Sequence, residues 1–230
     1  MTETRPTSSF DTARRSGRIV SFILAGGESS RMGVNKAFLE IAGAPLIVRA
    51  ARLLKSIAHG ANDGDSIVVG SPELFGPLGL RAIADDYPGC GPLGGIATAL
   101  RASDSEWNLI VACDLPYLTQ PWLEFLAQRA DRRDSPAGPA NTDAHAVVPM
   151  NERGAEPLCA LYRKHCEPAF RTALETGIRK VTEGLARVRV QYLEPSQWKC
   201  FDSDGLLFKN MNTPADYEEA KVRLAVRAKL

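Results

Sequence analysis

A stretch near the start of the chain, Leu24-Ala25-Gly26-Gly27-Glu28-Ser29-Ser30-Arg31-Met32-Gly33-Val34-Asn35-Lys36, holds the residue types that grip a polyphosphate. Adjacent glycines let the backbone come close to a ligand and aim N–H groups at phosphate oxygens. Arg31 and Lys36 supply positive charge, and a guanidinium can hold two oxygens at once. The pattern is neither G-x-x-x-x-G-K-[ST] nor G-x-G-x-x-G, so the commonest phosphate-binding loops are excluded here. Taken alone, such a turn serves equally well as an ordinary strand-to-helix connection. A second segment, Asp85-Asp86-Tyr87-Pro88-Gly89-Cys90-Gly91-Pro92-Leu93-Gly94-Gly95, places a carboxylate ahead of a glycine loop, where it can read a nucleobase edge or a ribose hydroxyl. A third, Cys113-Asp114-Leu115-Pro116, puts a carboxylate just past an apolar run, a position suited to Mg²⁺, which takes oxygen ligands and bridges phosphates.

These three segments need a scaffold that delivers them to one place. Ile19 to Leu24, Ser66 to Gly70, Arg81 to Ala84 and Asn108 to Ala112 are short apolar runs of strand character, and each of the three segments follows one of them. Helical spacing covers Pro45 to Ile57, Ile96 to Ala102 and Pro121 to Ala130, with Pro88 to Gly95 read as a loop. Strand–helix alternation implies crossover units: an α/β fold of three layers, with a mainly parallel sheet and helices on both faces. Ligands bind such sheets beyond the carboxyl ends of the strands. Further on, Asp131 to Asp143 reads as a polar surface loop, Ala144 to Met150 and Val188 to Leu193 as strands, and Glu167 to Glu175 as a helix. Pro157 to Tyr162 is a second apolar stretch. Thr213, Pro214 and Asp216 open a last helix with a cap, a first-turn proline and a capping-box acid.

The net charge of +1 gives no electrostatic reason to expect nucleic acid or a membrane surface as partner. Residues 1–18 lack the apolar core of a signal peptide and read as a flexible tail, and no run is long enough to span a bilayer. The five cysteines are odd in number and form no CxxC pair, which argues against a disulfide framework or a zinc site and for a reducing cytoplasm. Cys113, although beside Asp114, reads as a small apolar residue ending a strand. His59, His145 and His165 are scattered without metal-ligand spacing, and Trp107, Trp122 and Trp198 read as packing residues.

Taken in order, L-A-G-G-x-S-x-R-M-G-x-x-K, D-x-x-x-G-x-G-P-L-G-G and C-D-L-P-Y-L resemble the molybdenum cofactor guanylyltransferases, within the wider nucleotidyltransferases of Rossmann-like fold. The C-terminal half is similar too: Glu156-Pro157-Leu158-Cys159-Ala160-Leu161-Tyr162, Gly177-Ile178-Arg179-Lys180-Val181, and Asn210-Met211-Asn212-Thr213-Pro214-Ala215-Asp216 match family segments. The match runs from about Ile19 to about Ala220, nearly the whole chain. The resemblance implies one nucleotidyltransferase domain over residues 19–230, with a nucleotide-binding half, 19–130, and an acceptor-binding half, 144–230. It implies nucleotide binding by Leu24, Ala25, Gly26, Gly27, Lys36, Asp85, Gly91, Pro92, Leu93 and Asp114. Asp114 would also hold Mg²⁺, Arg31, Lys36 and Asp114 would carry the chemistry, and Asn210 and Asn212 would line the acceptor side. The implied reaction transfers GMP from GTP to the molybdenum–molybdopterin cofactor and releases pyrophosphate, with molybdoenzymes or their chaperones as recipients. A sister enzyme using CTP or another phosphate acceptor, and a non-catalytic GTP-binding cofactor chaperone, are the rival readings. Two positions depart from the family pattern: Asn35 stands where Asp is usual, and Glu156 where His is usual.

Overall fold

The computed structural model describes residues 19–26, 35–55, 57, 65–130 and 143–227. The expected tail, Gly27, Arg31, His59 and nearly all of the 131–143 loop lie outside them. Strand β1 (Ile19–Leu24) is buried along its whole length. Its residues alternate between two cores, with Ile19 and Ile23 on one face and Val20, Phe22 and Leu24 on the other. A fully covered strand therefore shows a continuous apolar run rather than alternating polarity. Asn35 caps a single 3-10 turn, Lys36–Phe38, whose Phe38 ring stacks on Phe75 at 5.6 Å between centroids.

A small hairpin follows, β2 (Glu40–Ile41) and β3 (Ala44–Pro45), turning through Ala42 and Gly43 at positive φ. Pro45 belongs to this hairpin, so helix α1 (Leu46–Lys55) begins one residue later than expected. Then come β4 (Ile67–Val69), the single-turn helix α2 (Pro72–Phe75), β5 (Arg81–Ile83) and helix α3 (Gly91–Ala102). Strand β6 (Trp107–Ala112) and helix α4 (Gln120–Ala127) complete the first half. The second half contributes β7 (Ala146–Asn151), β8 (Gly154–Ala155), β9 (Cys159–Arg163), α5 (Glu167–Glu175) and α6 (Val181–Leu185). It ends with β10 (Val190–Leu193), the short α7 (Pro195–Trp198) and α8 (Pro214–Arg227).

The sheet runs β10-β7-β9-β6-β1-β4-β5, with β8 pairing to β7. It is mostly parallel, but β9 runs antiparallel to both β6 and β7. Chain length explains the reversal. Only residues 152–158 join β7 to β9, and a parallel crossover needs a dozen or more. One face is covered by α1, α4 and α7 over residues such as Ile47, Trp122 and Trp198. The other is covered by α3, α5 and α6 around Leu93, Phe170 and Leu185. Fully buried side chains such as Phe22, Ile23 and Phe170 each contribute about 1.5–3 kcal/mol. The three tryptophans are packing residues, as expected: Trp122 meets Phe208 edge-on at 5.5 Å, Trp198 does so at 5.0 Å, and Trp107 lies under the Arg163 guanidinium.

Helix α3 corrects the sequence reading. It starts at Gly91, so the second half of the expected glycine loop is its first turns. Glycine has poor helix propensity, and packing outweighs that here. A Cβ on Gly94 would stand 2.9 Å from the Tyr87 carbonyl oxygen, and one on Gly95 would stand 3.2 Å from Leu24 Cδ2. The helix is pressed against the Tyr87 backbone too closely for a side chain at position 94, and at position 95 one would fit only if the Leu24 side chain gave way.

Candidate active site

Two groups of residues meet at the carboxyl end of the parallel strands. The first surrounds Gly26. Here Ala25 N–H donates to Val69 O at 3.1 Å and Cys113 N–H donates to Leu24 O at 3.1 Å, so the ends of β1, β4 and β6 are pinned together. Asp85 reaches the same place from the end of β5. A Cβ on Gly26 would lie 3.9 Å from Asp85 Oδ2. Asp85 is held rigidly, its Oδ1 accepting from Tyr87 N–H and from Thr98 Oγ1, both at 2.9 Å. The sequence reading missed Thr98. It sits one helix away from Asp85, and no local pattern marks it.

Helix α3 packs beside this group: Thr98, in its second half, holds Asp85, and Gly95 lies against Leu24. Its cap residue Cys90 makes no side-chain capping bond, and Pro92 occupies the first turn. The leading N–H groups thus keep the positive end of the helix dipole available to a ligand oxygen. Gly91, at φ +68°, lies against the loop carrying Arg179, whose carbonyl oxygen is 3.8 Å from where its Cβ would be. Leu93 differs from Gly91 and Pro92, which are exposed: it is fully buried in the core. Leu24 is buried likewise and packs on Gly95.

The second group joins residues from three distant segments. Asp114 follows β6, Lys36 lies in the 3-10 turn after the first loop, and Asn212 precedes α8. Lys36 Nζ donates to Asn212 Oδ1 at 2.9 Å, and Met211 N–H donates to Asp114 O at 2.9 Å. Asn210 is half-buried two residues before Asn212. Burial raises the Asp114 carboxyl above its ordinary value, and the nearby Lys36 ammonium opposes the shift. Burial also pushes the Cys113 thiol up to about 12, with Asp114 adding to the effect. Cys113 is therefore a protonated, inert side chain rather than a nucleophile.

No cluster of three or more His, Cys, Asp or Glu side chains suited to a metal occurs among the described residues. Asp114 still fits a Mg²⁺ site in which phosphate oxygens and water complete the shell, because Mg²⁺ commonly takes only one or two protein carboxylates. Its partly desolvated carboxylate, short of positive charge, is the observation that suits a hard cation.

The two departures from the family pattern have distinct local roles. Asn35 Oδ1 accepts from Ala37 N–H at 3.0 Å, a cap that Asp would make equally well. Glu156 accepts a short hydrogen bond from Asn151 Nδ2, and burial raises its carboxyl. It stands just beyond the β6–β9 ladder, whose last bond is Ala112 N–H to Leu158 O at 2.8 Å. His145 and His165 are brought together, contrary to their scattered positions in sequence. Their rings pack edge to face at 4.3 Å at the opposite end of the strands, far from Asp114 along β6 and β9. Burial and nearby positive groups lower both imidazoles.

The MobA-like NTP transferase domain model matches residues 21–190. The chain is similar to the probable molybdenum cofactor guanylyltransferase of Pelotomaculum thermopropionicum, 33% identical over 201 residues that cover 87% of this chain and 90% of that protein. The probable molybdenum cofactor guanylyltransferase of Nostoc sp. is 35% identical over 207 residues, covering 86% and 88%. Among solved structures, molybdopterin-guanine dinucleotide biosynthesis protein A from Archaeoglobus fulgidus superposes with a TM-score of 0.72 at 25% identity, covering 91% of this chain and 99% of that one.

Proposed function

Because this chain belongs to the MobA-like NTP transferase family, we propose that it transfers GMP from GTP to the molybdenum–molybdopterin cofactor. In this reaction a terminal phosphate oxygen of the pterin forms a bond to the α-phosphorus of GTP. The bond from that phosphorus to the β-phosphate oxygen breaks, and pyrophosphate leaves. The nucleophile is already anionic, so the protein's work is positioning and charge compensation. Asp85 and the N-terminus of α3 are suited to the nucleoside, and Lys36 to the phosphates. Asp114 would hold Mg²⁺, which when bound neutralises charge on the phosphates. Asn212 and Asn210 face the acceptor.

The observation that carries this reading is the convergence of Lys36, Asp114 and Asn212 beside Gly26 and Asp85, from segments far apart in the chain. The test is pyrophosphate release on incubation with Mg²⁺, the molybdopterin cofactor and each nucleoside triphosphate in turn. Release with GTP and little with CTP is expected. Equal or greater release with CTP overturns the guanylyl assignment, and GTP binding without release favours a carrier role.

A further inference from the structure

The residues around the start of α8 form a chain of contacts that ends on Lys36. Asp216 Oδ2 accepts from Asn212 N–H at 3.1 Å, from Thr213 N–H at 2.8 Å and from Thr213 Oγ1 at 2.8 Å. Thr213 Oγ1 in turn accepts from Asp216 N–H at 3.2 Å, which closes a capping box. The other Asp216 oxygen faces Lys209 Nζ at 3.6 Å, and that ammonium is also held by Glu219 at 2.5 Å. One carboxylate thus fixes the backbone of the Asn212–Thr213 turn, while Lys209, itself held by Glu219 one helical turn on, faces the carboxylate. Asn212 carries the constraint across the cleft, through its 2.9 Å bond to Lys36 Nζ.

Helix capping alone asks less than this. A cap stabilises the first turn through one or two N–H groups of the helix. Here Asp216 also binds the N–H of a residue outside the helix, and that residue's side chain touches the ammonium assigned to the phosphates. We propose that Asp216 is a positioning residue of the nucleotide site: by fixing the Asn212 backbone it sets where Lys36 points. The last helix is thereby coupled to the first loop, joining the acceptor side of the cleft to the triphosphate side. This rests on the reading of Lys36 as a phosphate contact.

The test compares Asp216→Ala, Asp216→Asn, Asn212→Ala and the Asp216→Ala/Asn212→Ala double variant. The first readout needs no nucleotide: the rate at which an amine-acylating reagent modifies Lys36, measured by peptide mass spectrometry. The second is kcat/KM for GTP in pyrophosphate release. Asn212→Ala should raise Lys36 acylation severalfold, and Asp216→Ala should do nearly the same. Asp216→Asn keeps a side-chain oxygen for the backbone donors and should fall between wild type and Asp216→Ala. Because the effect passes through Asn212, the double variant should match Asn212→Ala in both readouts, the non-additivity expected of residues acting in series. If Asp216→Ala and Asn212→Ala effects multiply, Asp216 is only a helix cap and the coupling is wrong. Wild-type acylation of Lys36 in Asp216→Ala, or in a folded Asp216→Asn alongside a collapsed Asp216→Ala, also overturns it. The expected acylation pattern in a protein that releases no pyrophosphate from GTP would sustain the coupling and sink the proposed function instead.

Discussion

Asp114 is kept in a setting that penalises its own charge. Burial raises its carboxyl, and Lys36 only partly offsets this. The folded protein therefore holds that proton to higher pH than the unfolded chain does. The group favours folding in acid and loses that contribution as pH rises through its raised folded value. At neutral pH the ionised side chain is a net cost. Asp114→Asn should accordingly raise Tm, by roughly 2–4 °C if the relief is about 1 kcal/mol, while lowering turnover on the order of 10²–10³-fold. Differential scanning calorimetry beside a pyrophosphate assay checks both, and an unchanged turnover removes Asp114 from the mechanism. Lys36→Ala should lower kcat/KM for GTP on the order of 10–100-fold, the scale of a hydrogen bond to a charged group, with Lys36→Arg recovering part of it. Asn35→Asp should change little, because the cap onto Ala37 N–H survives. A loss from Asn35→Asp comparable to that of Lys36→Ala would mean that charge at position 35 matters more than the cap.

Helix α3 is the element whose placement decides the nucleotide side of the cleft. It holds Asp85 through Thr98, and Gly94 lets it lie against the Tyr87 backbone. Gly94→Ala would force a Cβ to within 2.9 Å of a carbonyl oxygen, and the helix must shift. The expected result is a loss of about 1–3 kcal/mol in stability together with weaker GTP binding. Gly184 is the informative comparison. A Cβ there would meet the Leu93 side-chain tip at 2.8 Å, at the other side of α3. A side-chain tip can turn away where a backbone carbonyl cannot, so Gly184→Ala should cost less. Denaturant melts and GTP titration of the two variants decide the matter; a larger loss in Gly184→Ala would show that α3 is set by its core face rather than by its contact with Tyr87.

Across the whole molecule, one sheet holds strands from both halves of the chain. Strand β6 of the first half lies between β1 and β9, and the same core contains Trp122 from one half and Trp198 and Phe208 from the other. Splitting the chain near residue 130 would leave β6 with an exposed edge and strip that aromatic cluster of its partners. The chain should therefore unfold in one cooperative step, with tryptophan fluorescence and far-UV circular dichroism giving coincident transitions. A fragment ending at residue 130 should remain unfolded by the same probes. Separate transitions, or a folded fragment, would mean that the halves are independent units.

The sequence alone marked the longer strands and helices, because apolar periodicity and glycine or proline punctuation are local properties that each segment carries by itself; the β2–β3 hairpin, β8 and the short helices α2, α6 and α7 were not marked. It also marked the ends of β1, β5 and β6 as the places where the candidate ligand-binding residues gather, since these follow short apolar runs. Local cues of that kind found the cap at Thr213 and the helix Glu167–Glu175. Tertiary structure decided the antiparallel turn of β9, the start of α3 at Gly91, and the meeting of His145 with His165. It alone joined Lys36 to Asn212, and Asp85 to Thr98. Each of these depends on what another part of the chain offers at close range: a carbonyl that excludes a Cβ, a hydroxyl one helix away, an amide from near the far end of the chain. Periodicity describes how a segment presents its own faces, and it holds no information about which distant segment will lie against them.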